Sequence, residues 1–217
     1  MTQEQEFYTC AEAWLMHTLE QNPVAATNLG DHRWDDRLSD NRPEAIAQRH
    51  EEMVTALAEF EAIDTADFSL EAQIDHTLLV KILASFVRQH EKVQGYRRDP
   101  GGYMNEGLGG VMGLLLKEFA PLPERLRSAL GRMREIPRVL EEARLNVAPA
   151  DVPRVWAETA LQQAKQAPGL FVGLLPAIAA QAAPELQADF EESGRAAAEA
   201  IHAYSAYIEE EILPHAS

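Results

Sequence analysis

The stretch SLEAQIDHTLLVKILASFVRQHEKVQG, residues 69–95, decides the fold class of this chain. Its apolar residues recur every three or four positions, which is the spacing of one face of an α-helix. They are Ile74, Leu78, Leu79, Ile82, Leu83 and Phe86. Ser69 belongs to the residue types that cap a helix N-terminus, and Gly95 to those that end a helix. The stretch therefore predicts one long helix between Ser69 and Gly95.

The same spacing continues toward the N-terminus. Residues 3–21 carry one helical stripe made of Phe7, Cys10, Trp14 and Thr18. Pro23 is suited to begin a second helix and Gly30 to end it. Asn41 is suited to cap a third helix that runs to about residue 60. We expect four side chains of that helix to face inward, namely Ile46, Met53, Leu57 and Phe60.

Helical spacing also fills the C-terminal half. Residues 121–147 form a long segment in which Pro137 is expected to kink or split the helix. Two further helices are expected at residues 152–166 and 170–182, the latter with Pro176 inside it. The last helix begins near residue 184 and carries a packing seam of Phe190, Gly194, Ala197, Ile201, Tyr204 and Ile208.

No run of alternating apolar and polar residues predicts a strand. The sequence therefore predicts an all-α fold, an irregular bundle of about seven to ten helices with kinks at prolines, in a single helical domain over residues 1–217.

Composition excludes several classes of partner. The formal charge of −16 repels phosphate backbones and anionic lipid, so we expect neither a nucleic acid nor a membrane as partner. The longest apolar run, residues 108–116, is far shorter than the roughly 20 residues of a membrane span. The start MTQEQEFYTC lacks the pattern of a secretory signal, and the single Cys10 has no cysteine to pair with. These features predict a soluble, cytoplasmic protein.

Two His-Glu pairs invite comparison with zinc peptidases, whose H-E-x-x-H motif places two imidazoles on one helix face. Positions four residues after His50 and His90 are Val54 and Gln94, so neither pair completes the motif. We therefore expect both pairs to be solvated residues on helix surfaces.

The densest group of polar residues lies in LGDHRWDDRLSD and consists of Asp31, His32, Asp35, Asp36 and Asp40. Carboxylates and imidazole can bind a divalent metal, but the spacing is not that of a calcium loop. Arg33 and Arg37 can pair with the acids instead. The stretch is either a structural loop, which we favour, or a ligand or metal site.

The turn-rich stretch after residue 95 contains Arg97, Arg98, Asp99 and Tyr103, which could line a pocket. The alternative is a structural turn fixed by an Arg-Asp pair before Pro100. The following segment GLGGVMG has no preceding strand and no Gly-Lys-Ser/Thr, so its glycines indicate close helix packing rather than a phosphate cradle.

Several segments in order, NPVAATNLGDHRWDDRLSD, YRRDPGGY, APLPERLRSALGRMREIPRVLEEARLNV, PRVWAETALQQA and YIEEEILPHA, resemble the bacterial domain-of-unknown-function family number eight hundred and eighty-five. The resemblance implies helical relatives more than twice as long, similar to zincin metallopeptidases, with a His-Glu-x-x-Pro-Gly-His segment in the C-terminal half. It implies no catalytic, cofactor-binding or metal-binding residue in this chain. Any zinc is expected in the C-terminal half.

The leading hypothesis is a non-catalytic N-terminal helical domain of a zinc-dependent peptidase or related hydrolase, which shapes the substrate cleft. Its expected partners are the C-terminal half of its own protein and a peptide substrate. The alternative is a free-standing helical interaction or oligomerisation module. A third hypothesis is a small-molecule or metal-binding protein that uses the loop at residues 31–40.

Overall fold

A computed structural model describes residues 2–217, and over that range it contains helices and no strand. The α-helices are α1 (Gln3–Gln21), α2 (Pro23–Leu29), α3 (Pro43–Glu61), α4 (Leu70–Arg88), α5 (Gly95–Arg98), α6 (Pro100–Leu116), α7 (Leu122–Asn146), α8 (Arg154–Gln166), α9 (Leu175–Ala182) and α10 (Gln187–Tyr207). The prediction of an all-α multi-helix bundle is confirmed, with 81% helix. No helix of residues 2–217 is long and apolar enough to cross a membrane.

Two of the predicted capping residues are confirmed, and one is not. The Ser69 hydroxyl accepts a hydrogen bond from the Ala72 amide at 3.3 Å, and Gly30 ends α2 with a φ of 91°, as predicted. The predicted Asn41 cap is wrong, because α3 begins at Pro43 with Arg42 before it and without a side-chain cap. The backbone N–H of Asn41 donates to Glu142 Oε2 at 2.9 Å, which ties the residue to α7.

The end of α4 also differs from the prediction. The helix passes into a π-helical turn at Gln89–Val93, and Gln94, in the left-handed region with a φ of 55°, ends that turn. Gly95 therefore begins α5 and does not end α4.

Prolines act differently in α7 and α9. Pro137 does not split α7, which continues over 25 residues. An interior proline costs about 3 kcal/mol, and here the helix is held by α6 and α10, against which it buries residues on both sides of Pro137 such as Met133 and Leu140. Pro176 is the second residue of α9 and lies inside the helical run predicted at residues 170–182, which the π-helical turn at Leu170–Leu174 begins.

Two larger apolar cores, together with a small cluster of Leu19, Ala26 and Trp34, hold the described helices together. The larger core surrounds α7 and includes the predicted seam of α10, whose six residues are all buried. The smaller core joins α1, α3 and α4 through Phe7, Ala56, Phe60, Phe68, Ala72 and Leu83. A cleft lies where the α1–α3–α4 group meets α5 and α6.

Close packing of α6 depends on two of its glycines. A Cβ at Gly107 would lie 3.2 Å from Ile136, and one at Gly110 would lie 3.0 Å from Val24 and Leu38. The prediction of close helix packing is confirmed at these two positions. Gly109 and Gly113 have no neighbour within 4 Å and do not contribute to it.

The outer face of α4 carries a row of exposed apolar side chains, called here the α4 stripe. Its five members are 45% to 75% exposed and are Leu70, Ile74, Leu78, Ile82 and Phe86. The segment is helical as predicted, but four of its six periodic apolar residues lie on the solvent side and only Leu83 is fully buried.

Candidate functional site

The cleft has a volume of about 360 Å³, at the small end of the range for ligand pockets. Helices α1, α3, α5 and α6 and the π-helical turn after α4 supply its walls. Its charged and titratable lining side chains include Arg49, His50, Glu52, His90, Asp99 and Glu106. Aromatic and apolar side chains, such as Trp14, Ile46 and Tyr103, complete it.

Two histidines from different helices stack in the cleft. The rings of His50 and His90 have centroids 3.9 Å apart and planes 9° from parallel, and Tyr96 stacks on His90 at 4.7 Å. Burial lowers the pKa of His90, and the nearby charges of His50 and Arg49 lower it further. The expectation that both His-Glu pairs are solvated is therefore wrong for the two histidines.

One ring nitrogen of His50 has no hydrogen-bond partner among the described residues. Its Nε2 lies 3.6 Å from Glu91 Oε1, and its Nδ1 is buried without a hydrogen-bond partner in the described part of the chain. The His90 side of the stack comes from the π-helical turn, so the spacing within α4 gave no signal for this contact.

Beside the stack, Arg49 is partly buried and forms no ion pair among residues 2–217. Its guanidinium donates to the carbonyl oxygen of Asp40 and, at 3.5 Å, to Asn41 Oδ1. Burial lowers the pKa of Arg49, although the acids around it oppose that effect.

Each acid near Arg49 is bound to another group. The carboxylate of Asp40 pairs with Arg42 at 2.5 Å, and Glu106 Oε1 accepts the backbone N–H of Ser39 at 2.9 Å. The buried Glu142 pairs with Arg138 at 2.7 Å. Arg49 therefore has attractive charges nearby without a direct carboxylate partner.

A third group of polar side chains joins α1 to α3 at the cleft. Glu52 accepts hydrogen bonds from Gln21 and Gln48, each at 2.8 Å, and lies 3.0 Å from His17 Nε2. Hydrogen bonds from Gln21, Gln48 and His17 lower the pKa of Glu52 to about 2. Glu52 is thus ionised and held in place.

The predicted pocket turn contributes two of its four residues to the cleft. Asp99 and Tyr103 line it. The hydroxyl of Tyr103 donates to the Tyr96 carbonyl at 2.7 Å, and burial raises the pKa of Tyr103. Asp99 Oδ1 accepts the Gly101 amide at 2.9 Å and so caps α6.

Arg97 and Arg98 extend away from the cleft. Arg97 pairs with the Asp151 carboxylate at 2.9 Å, and Arg98 donates to the Asp151 carbonyl at 3.1 Å. The turn is therefore fixed by this pairing and by the Asp99 cap, and not by the Arg-Asp pair that the sequence suggested within it.

In the loop at residues 31–40, Asp35 is the buried centre. It accepts a hydrogen bond from the Thr27 hydroxyl at 2.5 Å, contacts His32 Nδ1 at 2.9 Å and lies 3.8 Å from Arg132. The His32 ring stacks on Phe119 with centroids 3.7 Å apart. Asp35, His32 and Phe119 do not line the cleft.

The other acids of the loop have arginine neighbours. Asp31 pairs with Arg33 at 2.6 Å, and Asp36 lies 3.8 Å from Arg37. Among these acids, Asp40 contacts a residue of the cleft wall, because its backbone carbonyl accepts a hydrogen bond from Arg49. Over residues 2–217, no three His, Cys, Asp or Glu side chains are grouped so as to hold a metal ion.

The fold has a counterpart among solved structures. A Shewanella oneidensis protein described as "a putative lipoprotein of unknown function" superposes with a TM-score of 0.83 at 23% identity. The match covers 95% of this chain and 37% of that one, so this chain spans little more than a third of that protein's length. At this identity the likeness establishes the fold alone. No curated protein matches the chain.

A family model matches residues 23–217, which is most of the chain. This match confirms the family that the sequence motifs indicated. The chain belongs to the family described as "Bacterial protein of unknown function (DUF885)".

Proposed function

We propose that this chain is the ligand-binding helical domain of a DUF885 protein and that its cleft receives the substrate. The observation that carries the proposal is a cleft of about 360 Å³ in which the Arg49 guanidinium, beside the stacked rings of His50 and His90, has unused hydrogen-bonding capacity. Polar groups left unsatisfied in a partly buried site favour binding of a complementary ligand.

In the longer protein, the proposed role is to form one wall of the substrate cleft of a zinc-dependent peptidase or related hydrolase. The resemblance described above and the greater length of the Shewanella structure support this role. The proposed partner is the C-terminal half of the same protein, which would supply zinc and a general base. Residues of this chain would bind and orient the substrate, a role that requires no metal ligand here.

Binding and hydrolysis can be tested separately on the 217-residue protein. Histidine-ring NMR signals report on His50 and His90 directly, so a peptide and metabolite mixture should shift them if the cleft is the site. Arg49→Gln should abolish these shifts, whereas Arg195→Gln, on the exposed side of α10, should not. Chelator-sensitive peptide cleavage by this chain alone would contradict a non-catalytic role.

A second candidate function is an oligomerisation module, and the α4 stripe favours it. An exposed apolar helix face of this length is typical of an interaction surface. Among the charges on α4, Glu71 lies near its N-terminal end, and Lys81 and Arg88 lie toward its C-terminal end. If α4 of a second copy packed antiparallel on this one, Glu71 of each copy would lie near the basic end of the other, which carries Lys81 and Arg88.

We also propose a cytoplasmic location, because Cys10, the single cysteine, cannot form a disulfide within this chain. Cell fractionation with an antibody to the native protein tests it, and recovery in the membrane fraction would contradict it.

A further inference from the structure

The environment of Arg49 is unlike that of the other buried arginines. Arg132 donates to three carbonyls and a hydroxyl, and Arg125 donates to four carbonyls, so each of these guanidinium groups makes four hydrogen bonds inside the protein. Arg49 has one carbonyl and one long amide contact. Since a guanidinium carries five N–H donors, several donors of Arg49 have no acceptor within the described residues.

Such a guanidinium suits an oxyanion, and a carboxylate fits its planar donor arrangement through two parallel hydrogen bonds. The adjacent His50 lines the same wall, but its Nδ1 is fully buried, so the available donors at this wall are those of Arg49. The unpaired donors of Arg49 thus point to one anionic ligand group.

The remaining charges of the cleft restrict the net charge of that ligand. Glu52, Asp99 and Glu106 are acidic, and the whole chain carries −16. A phosphate dianion would be repelled by this field, whereas a carboxylate balanced by a cationic group on the same molecule would not. Asp99 and Glu106 each use one carboxylate oxygen in a backbone hydrogen bond, which leaves acceptor capacity for an ammonium group.

From these contacts we propose that the cleft binds a small zwitterion, a free amino acid or a short unblocked peptide, with its carboxylate on Arg49 and its ammonium beside Asp99 and Glu106. The proposal rests on the proposed function, since it names the ligand class of the same cleft. The volume of about 360 Å³ suits a ligand of this small size.

The test compares four probes on the intact 217-residue protein by calorimetry: the dipeptide alanyl-phenylalanine, its C-terminal amide, its N-acetyl form and inorganic phosphate. The unblocked dipeptide should bind. Each blocked form should bind about tenfold to a hundredfold more weakly, because each loses one charged hydrogen-bonded contact. Phosphate should bind more weakly than the dipeptide.

Variants then locate the carboxylate. Arg49→Gln should weaken the dipeptide about tenfold or more but leave the affinity for the amide unchanged, since the amide has no carboxylate to lose. Arg195→Gln is the matched control and should change neither affinity. The comparison of probes on the unaltered protein stands even if Arg49→Gln does not fold.

The outcomes separate the two proposals. If the dipeptide and its amide bind equally and both shift the His50 and His90 signals, the zwitterion inference fails while the cleft remains a binding site. If neither these probes nor the peptide and metabolite mixture shifts those signals, both proposals fail. Tighter binding of phosphate than of dipeptide would also overturn the inference.

Discussion

The imidazole rings of His50 and His90 lie face to face, with centroids 3.9 Å apart and planes 9° from parallel. Two rings at this distance repel each other when both are protonated, and Arg49 adds a further positive charge while Glu91 partly opposes it. The pKa of His90 therefore lies below its ordinary value of 6.5, with burial as the largest cause.

This relationship predicts how stability depends on pH. As the pH falls through about 6.5, unfolded His90 binds a proton before folded His90 does, so the free energy of unfolding decreases. The stabilisation that comes from neutral His90 is complete above about pH 6.5. It is lost as the pH falls from about 6.5 to the lower pKa of folded His90. The free energy of unfolding can be measured in urea at about pH 8 and about pH 5.5. Its decrease between the two pH values should be smaller for His90→Phe than for the unaltered protein, because phenylalanine keeps a ring but cannot titrate. His202→Phe, at an exposed position of α10, should behave like the unaltered protein.

Arg132 is predicted to be the costliest arginine of α7 to replace. Arg132→Met removes its hydrogen bonds and leaves the buried Asp35 carboxylate without its cation, which should cost about 3–5 kcal/mol of unfolding free energy. Arg134→Met on the same helix breaks an exposed pair with Asp189 and should cost about 0–1 kcal/mol. Similar midpoints in chemical denaturation for the two variants would contradict this assignment.

Gly194 should not tolerate even a methyl group. Its Cβ would lie 2.2 Å from the carbonyl oxygen of Phe171, so α10 and the π-helical turn would have to separate. Gly194→Ala should destabilise the protein by about 1–3 kcal/mol. Gly113→Ala, inside α6 with nothing within 4 Å, should stabilise it by up to about 1 kcal/mol because alanine favours helix. Thermal unfolding of both variants measures the difference, and a neutral Gly194→Ala would be evidence against the close contact.

If the α4 stripe joins two copies, the protein should sediment as a dimer. Leu78→Lys places a charge in the middle of the stripe and should convert the dimer to a monomer at the same concentration. Leu145→Lys, at a residue 69% exposed on α7, is the control and should leave the dimer intact. A monomeric unaltered protein in analytical ultracentrifugation would remove the oligomerisation module as a candidate.

The loop at residues 31–40 should not bind zinc or calcium with micromolar affinity. Asp31 and Asp40 are engaged by arginines and Asp35 by Thr27 and His32, so a metal would have to displace these partners. Calorimetric titration with either metal should show no such binding. Micromolar affinity that disappears in Asp35→Ala and Asp36→Ala would show the loop to be a metal site.

The local sequence was sufficient to predict the helices and much of their ends. Apolar spacing and capping residues are properties of neighbouring positions, so the bounds of α1, the Ser69 cap and the Gly30 stop followed from them. The seam of α10 is buried as predicted because small and apolar residues repeat there without interruption. The order of motifs along the chain also indicated the family.

Only the tertiary structure decided which face of each helix is covered and which polar groups meet. Spacing marks Ile74, Leu78 and Ile82 as one apolar face but carries no information on what packs against it, and α1 and α3 cover the other side of α4. The stack of His50 on His90 needs the π-helical turn, whose shifted hydrogen bonds leave no periodic signal in the sequence. The cleft is formed by helices that are distant in sequence. Whether the donors of Arg49 find acceptors there depends on how those helices pack, which the local sequence does not determine.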